Sequence, residues 1–491
     1  NTQREIMTDN NYNFIAGEWI AGASEVANIN PSDLSDTIGM YAQADKSQLD
    51  LALDAAQSAQ IEWAKVGLER RYNVLMNIGN ELIANCESIG TLLAREEGKT
   101  QPEGKGEVYR SGQFFTYYAA EVLRQMGENT ESTRDGIEID VRREPVGTVA
   151  IISPWNFPMA TASWKIAPAL AFGNAVIWKP ANIVPASAVA LTRIIQKQGL
   201  PKGLFNLVMG SGGQIGQQLI ESPMVNAISF TGSVPVGREI AKTAVGNFTK
   251  LQLEMGSKNA LAIMDDANLD TAIACALGGG FGSTGQKCTA SSRLVVHESI
   301  HDEFVDRLVA GAEAMVVGHA LEAGTQIGPV ASEVQLNQNL ANIELAKKEG
   351  GELRCGGERV ERATEGYFMT LNAFPEMLTV PEEYREGTAS LGFIGMGDMI
   401  AYNTSALIND GFYDLTRESI TNSTHATKSW VVGEKVSSAF IQGEIDTEIG
   451  GLSLTGNVGV RYVHTKQDSQ GSAFNVVDGL VVSSPTDVNH S

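Results

Sequence analysis

The chain has 491 residues, 43% of them hydrophobic and 19% charged, the make-up of an ordinary globular protein too long for one compact core, so two or three domains are expected. A formal net charge of −22 argues against general affinity for nucleic acid or an anionic membrane. Cys86, Cys275, Cys288 and Cys355 lie far apart, with no CxxC pair and no histidine cluster, which excludes a disulfide framework or a zinc site and points to a reducing, cytoplasmic compartment.

Asn1 to Asn13 is polar and lacks the apolar centre of a signal peptide; Met7 offers an alternative start if the chain is a fragment. No run of about 18 apolar residues occurs, so no membrane-spanning helix is expected. Asn11 to Ile20 (NYNFIAGEWI) reads as a short strand pair around Gly17. From Ser47 to Glu97, Leu49, Leu53, Ala56, Trp63, Leu75, Ile78, Leu82 and Ile83 recur at helical spacing. A third helix is predicted over Glu103 to Gln125, with Phe114, Tyr117, Tyr118 and Val122 on its buried side. Glu128 to Pro145 alternates around Asp135-Gly136, a hairpin that reads equally as an assembly arm or a plain surface feature.

Strand, loop and helix then alternate. Val149 to Ile152 is a buried-type strand, followed by Ser153-Pro154-Trp155-Asn156-Phe157-Pro158 and a helix through Trp164 and Ala169. Ala175 to Trp178 ends in Lys179-Pro180-Ala181-Asn182, and a helix over Ser187 to Gln198 leads to the strand Phe205 to Val208 and then Gly210-Ser211-Gly212-Gly213. Ala227 to Phe230 precedes Thr231-Gly232-Ser233 and another helix. This alternation implies a parallel sheet with ligands at the carboxyl ends of its strands, where each of these loops falls. A glycine-rich loop opening a helix is a ready anion site, although GSGG or FTGS alone is weak. GxGxxG is absent, so any dinucleotide site is a variant.

Gly282 to Arg293 (GSTGQKCTASSR) places Cys288 in a loop of small residues beside Lys287. A neighbouring cation favours thiolate, the nucleophilic form, while free cysteine is also a common buried structural residue. Lys179 closes a buried strand, where a ribose hydroxyl or phosphate would give its ammonium a partner; a surface lysine is the alternative. Asn156 offers a neutral N–H suited to a transient oxyanion, or holds its own turn. Glu254, in LQLEMG (251–256), is either a carboxylate whose burial raises its pKa towards that of a general base or a salt-bridged strand end. Together these supply a nucleophile, an oxyanion donor, a base and a nucleotide site, the set that an acyl-transfer oxidation requires.

Residues 11 to about 370 resemble the aldehyde dehydrogenase superfamily. PWNFP (154–158), WKPA (178–181), FTGS (230–233), LEMG (253–256) and GQKC (285–288) stand in that family's order and spacing. The nearest branch is similar to the 2,5-dioxopentanoate (α-ketoglutaric semialdehyde) and succinate-semialdehyde dehydrogenases. The resemblance implies an α/β fold with a Rossmann-like parallel sheet: an NAD(P)-binding domain over 1–255 with a hairpin arm near 128–145, then a truncated α/β catalytic domain over 256–371. It also implies oxidation of an aldehyde to an acid. Cys288 would form a thiohemiacetal and then a thioester, Asn156 and the Cys288 N–H would hold the oxyanion, and Glu254 would activate water. Ile152, Ser153, Trp155, Lys179, Asn182, Gly212, Phe230, Gly232, Ser233 and Met255 would line NAD or NADP; no metal is implied. Asn182 stands where NAD-preferring members usually carry Glu, which leaves NAD versus NADP open, and Ser257 replaces the second glycine of LELGG. Lys165 or Arg110 are candidates to meet a substrate carboxylate. Family members form dimers or tetramers through C-terminal segments that do not match here.

After Gly366-Tyr367-Phe368 the family pattern stops, and Pro381-Glu382-Glu383-Tyr384 only faintly echoes its Glu-Ile-Phe-Gly-Pro motif. Residues 372–491 turn glycine-, serine- and threonine-rich, with alternation in Ala439 to Ile445 and Gly451 to His464 and a connection expected over Glu444 to Gly451. Such segments resemble an internal piece of a TonB-dependent outer-membrane receptor barrel. A few strands cannot close a barrel, so a truncated dehydrogenase fused to a receptor fragment, without functional membrane insertion, is the expectation. A divergent β-rich C-terminus is the alternative. A catalytically incomplete dinucleotide-binding protein and a receptor fragment are the competing functions.

Overall fold

The computed structural model of the protein describes residues 11–124, 126–374, 385–390, 398–402, 431–449, 452–477 and 480–490. The chain divides into two units, Asn1–Glu376 and Met377–Ser491.

In the first unit, apolar strands of the kind that are covered on both faces form the centre of a sheet. Thr148–Ile152 (TVAII) and Ala175–Lys179 (AVIWK) are buried along nearly their whole length. They sit inside a seven-stranded sheet ordered Lys250–Met255, Ala227–Gly232, Thr148–Ile152, Ala175–Lys179, Phe205–Leu207, Asn13–Ile15, Glu18–Ile20. The first five strands run parallel and the N-terminal pair antiparallel. From Thr148–Ile152 the chain adds strands on one side, then returns to build on the other. Strand order therefore reverses beside Thr148–Ile152, and the following loop, Ser153 to Pro158, opens at the switch point where such sheets bind ligands. Ala227–Gly232 runs past its expected end because Gly232 still pairs with Met255. Glu254 lies on the edge strand rather than in the buried centre.

The predicted helical region forms Lys46–Trp63, Leu68–Ala84 and Cys86–Glu97, followed by Gln101–Val122. Trp63, Leu75, Ile78, Leu82, Phe115, Ile177 and Trp178 belong to one core that joins these helices to the sheet. The buried face of Gln101–Val122 differs from expectation. Ser111, Gly112, Phe115, Ala119 and Val122 are buried, whereas Phe114 and Tyr118 are half-buried and Tyr117 is 57% exposed. The reason is close helix approach: a Cβ on Gly112 would lie 2.6 Å from the Gly79 carbonyl oxygen. The small-residue face packs inward and leaves the aromatics facing a cleft.

Asn259–Ile263 and Ser291–Val296 form a separate parallel pair, linked through the helix Leu269–Phe281. Ile263, Ile273, Ala276, Phe304 and Leu308 make a small core under it, while Val295 is 59% exposed. Glu128–Glu131 and Glu138–Val141 form an exposed antiparallel hairpin.

In the second unit Arg385–Ser390 pairs with Asp398–Tyr402, and Val431–Ile449, Leu452–Val477 and Leu480–His490 form an antiparallel meander. Strand pairing continues to Ile449 opposite Leu452, so the connection is far shorter than the predicted Glu444 to Gly451. Among the described residues no helix is long and apolar enough to cross a membrane.

Candidate active site

Cys288 follows a turn in which Ser283, Thr284 and Gly285 all have positive φ (52°, 57° and 67°). Non-glycine residues avoid this region, so the turn needs anchors. Glu103 supplies one: its Oε1 accepts from the Ser283 N–H at 2.7 Å, while its Oε2 accepts from the Thr100 N–H at 2.9 Å. The Thr284 hydroxyl adds another, reaching the Gly328 and Pro329 carbonyls at 3.3 Å. Beyond the cysteine, the Asn259 amide donates to the carbonyls of Cys288 at 2.7 Å and Ala290 at 3.1 Å.

The structure brings the expected catalytic residues together. Cys288 is half-buried, and the Glu254 carboxylate lies near enough to act on its thiol. Burial, then the nearby Glu254 carboxylate, push its thiol pKa up; the N–H groups of Cys288 and Thr289 pull the other way. The expectation that Lys287 favours thiolate is therefore corrected. Its ammonium donates to the Gly278 carbonyl at 3.0 Å, and burial lowers its own pKa. Glu254 Oε2 is buried and has no partner among the described residues. Asn156 Nδ2 donates to the Gln286 carbonyl at 2.7 Å, which seats the amide against the cysteine loop and leaves its second N–H uncommitted.

Residues missed in the sequence hold the Asn156 loop from behind. Lys99 is fully buried; its ammonium donates to Glu107 and to the Asn156 carbonyl, each at 2.7 Å, and lies 3.9 Å from the Phe157 ring centroid. The other Glu107 oxygen accepts from the N–H groups of Met159 at 2.9 Å and Ala160 at 3.1 Å. Burial alone would lower the Lys99 pKa, but the Glu107 and Glu97 carboxylates outweigh it and keep the ammonium charged. Burial pushes the Glu97 carboxyl up to about 8. The one visible signal nearby is Thr100 and Glu103 in the T-x-x-E pattern of a capping box, which the structure forms.

A cleft of about 870 Å³ reaches Glu254 and is walled by Phe114, Tyr117, Trp164, Lys165 and Arg110. Lys165 is buried, and its ammonium donates to Gln252 Oε1 at 2.9 Å, Ser229 Oγ at 3.1 Å and the Phe230 carbonyl at 3.5 Å. Burial lowers its pKa to about 8.

At the strand ends, groups suited to a dinucleotide collect. Lys179 is buried, its ammonium donates only to the Pro180 carbonyl, at 3.0 Å, among the described residues, and burial lowers its pKa to about 8. Asn182 Oδ1 is buried without a partner among the described residues, an acceptor suited to a ribose hydroxyl. Gly212 and Gly213 face open space, and the exposed Ser233 precedes the helix Val234–Gly246 without a side-chain cap bond. Ile152 and Trp155 are half-buried beside this edge. Other candidates are engaged in the protein. Ser153 Oγ accepts from the Trp178 indole at 2.9 Å, Phe230 is buried against Gly232, and Met255 packs at Gly237. No cluster of potential metal ligands occurs among the described residues.

The aldehyde dehydrogenase family profile matches residues 19–383, beyond the limit near residue 370 suggested by the motifs. An α-ketoglutaric semialdehyde dehydrogenase of Bacillus subtilis is 38% identical over 77% of this chain and 79% of its own length. A 2,5-dioxopentanoate dehydrogenase of Saccharolobus solfataricus is 36% identical over 74% of this chain and 76% of its own. The crystal structure of a Staphylococcus aureus betaine aldehyde dehydrogenase in complex with NAD+ superposes with a TM-score of 0.74 at 32% identity, covering 75% of this chain and 74% of that one. The chain belongs to the aldehyde dehydrogenase family of NAD(P)-dependent oxidoreductases.

Proposed function

We propose that this chain acts on a semialdehyde bearing a distal carboxylate, such as 2,5-dioxopentanoate or succinate semialdehyde, and that Cys288, Glu254 and Asn156 carry the chemistry. The observation behind this reading is that the Glu254 carboxylate acts on the Cys288 thiol while the Asn156 amide is bonded to the loop that carries it. The thiol is held protonated at neutral pH, so Glu254 is placed to take its proton as sulfur attacks the aldehyde carbon. The free Asn156 N–H and the Cys288 N–H stabilise the resulting thiohemiacetal oxygen. NAD(P) held beside Cys288 by the strand-end residues would supply the hydride acceptor needed to convert the thiohemiacetal into a thioester. After passing that first proton to solvent, Glu254 draws a second from the water that hydrolyses the thioester, and returns it to the departing thiolate as the acid is released.

Lys179, Asn182, Gly212 and Ser233 would hold the dinucleotide, with Trp155, Ile152, Ser153, Phe230, Gly232 and Met255 shaping the wall. With Asn182 in place of a carboxylate, a 2′-phosphate meets no negative charge at that position. Residues 1–255 serve as the NAD(P)-binding part, those from 256 to the end of the family match at 383 as a shortened catalytic part, and those beyond it as a segment foreign to the enzyme. The receptor resemblance of that segment rests on its alternation and on strands of 19 and 26 residues, longer than those of most globular sheets. A second reading, favoured by the exposed face at Val295, is a dinucleotide-binding protein with little or no turnover.

Mixing the purified chain with NAD or NADP and succinate semialdehyde tests both readings. A burst of reduced cofactor that Cys288→Ala abolishes, followed by slow turnover, is expected. Cofactor binding retained in Cys288→Ala, with no burst in the parent, would establish the binding-only reading; turnover at ordinary dehydrogenase rates would refute the impairment.

A further inference from the structure

We propose that Arg110 reads the distal carboxylate of the substrate, an assignment that rests on the semialdehyde reading above. Two cations, Arg110 and Lys165, line the same cleft as Glu254. Lys165 has already committed its ammonium to three acceptors, Gln252, Ser229 and Phe230, and an ammonium has no further donors. Arg110 is exposed and makes no hydrogen bond or ion pair among the described residues, so its planar fork is open to a bidentate carboxylate.

The cleft between them suits a short carbon chain. Arg110, Phe114 and Tyr117 recur at helical spacing on Gln101–Val122 and share one face, roughly 10 Å along the axis. Phe114 stacks edge-on against Trp164, with ring centroids 5.6 Å apart, giving the methylenes an apolar wall. Charge supplies the remaining reason. A protein carrying a net −22 repels a carboxylate from most approaches, so an anionic substrate needs a local cation in its entry path.

Protection of Cys288 from iodoacetamide, followed by mass mapping of the Cys288 peptide, tests this without requiring turnover. Succinate semialdehyde should protect at about 2- to 5-fold lower concentration than butanal, a gap set by one solvent-exposed charged pair. In Arg110→Gln the gap should close, in Arg110→Lys it should partly return, and unchanged melting temperatures should accompany both. High salt should narrow the parent's gap. A gap that persists in Arg110→Gln, or no gap in the parent, overturns the assignment and leaves aldehyde chemistry at Cys288 standing. Failure of both aldehydes to protect Cys288 removes the thiohemiacetal and this assignment with it.

Discussion

Two stretches of parallel strands in the first unit share a local grammar and differ in cover. Thr148–Ile152 and Ala175–Lys179 lie in the middle of seven strands, with Val176, Ile177 and Trp178 fully buried. Asn259–Ile263 and Ser291–Val296 stand as a pair, with Val295 half open and a core of a few side chains. The cysteine loop runs directly into the second, thinner sheet, whereas the Asn156 loop leaves the first. The nucleophile and its proposed oxyanion donor thus rest on foundations of unequal stability. Helix Gln101–Val122 and the turn before it bridge the two, through Lys99, Glu107 and Glu103.

Breaking that bridge should have the largest effect. Lys99→Met leaves Glu107 and Glu97 buried without their cation and should cost about 3–5 kcal/mol, read as a lower denaturant midpoint. Removing thick-sheet packing with Ile177→Ala should cost about 2–4 kcal/mol by the same measurement. Val295→Thr in the thin sheet should stay within about 0.5 kcal/mol, because that side chain is already wet. Equal costs at positions 177 and 295 would erase the contrast between the sheets. Amide exchange sharpens it further: Val176 to Trp178 should exchange much more slowly than Leu294 to Val296.

A pH profile probes the seam itself. Because burial and Glu254 raise the Cys288 pKa, alkylation of Cys288 should rise with pH through a midpoint above that of an ordinary thiol. Glu254→Gln should move the midpoint down, since the carboxylate charge that favours the protonated form is removed. An unchanged midpoint would mean that burial alone sets it.

Much of the sheet was legible because a doubly covered strand has to be apolar, so runs such as Ala175 to Trp178 announce themselves. The motif loops were legible for a related reason: strand ends followed by glycine, proline or small residues can go few places but the ligand edge. Three things were not. Lys287 stands next to Cys288 in the chain, but its side chain turns to the Gly278 carbonyl, and chain adjacency says nothing of direction. Phe114 and Tyr117 carry a core-like spacing, yet the facing glycines decided which side of the helix packs. Lys99 and Glu107 look like surface charges until the fold encloses them, since a buried ion pair is a property of tertiary contact. Neither the tail's long strands nor their register follows from motif spacing, and the expected turn over Glu444 to Gly451 proved too long.

The left-handed Ser283–Thr284 turn carries one more implication. Each such residue costs about 1–2 kcal/mol, so the segment resembles a sprung catch whose release is downhill once its anchors let go. Glu103, distant in the chain, is one of those anchors. A substitution there would be silent in any comparison of catalytic motifs, yet it would let the segment recoil and carry the sulfur off its mark.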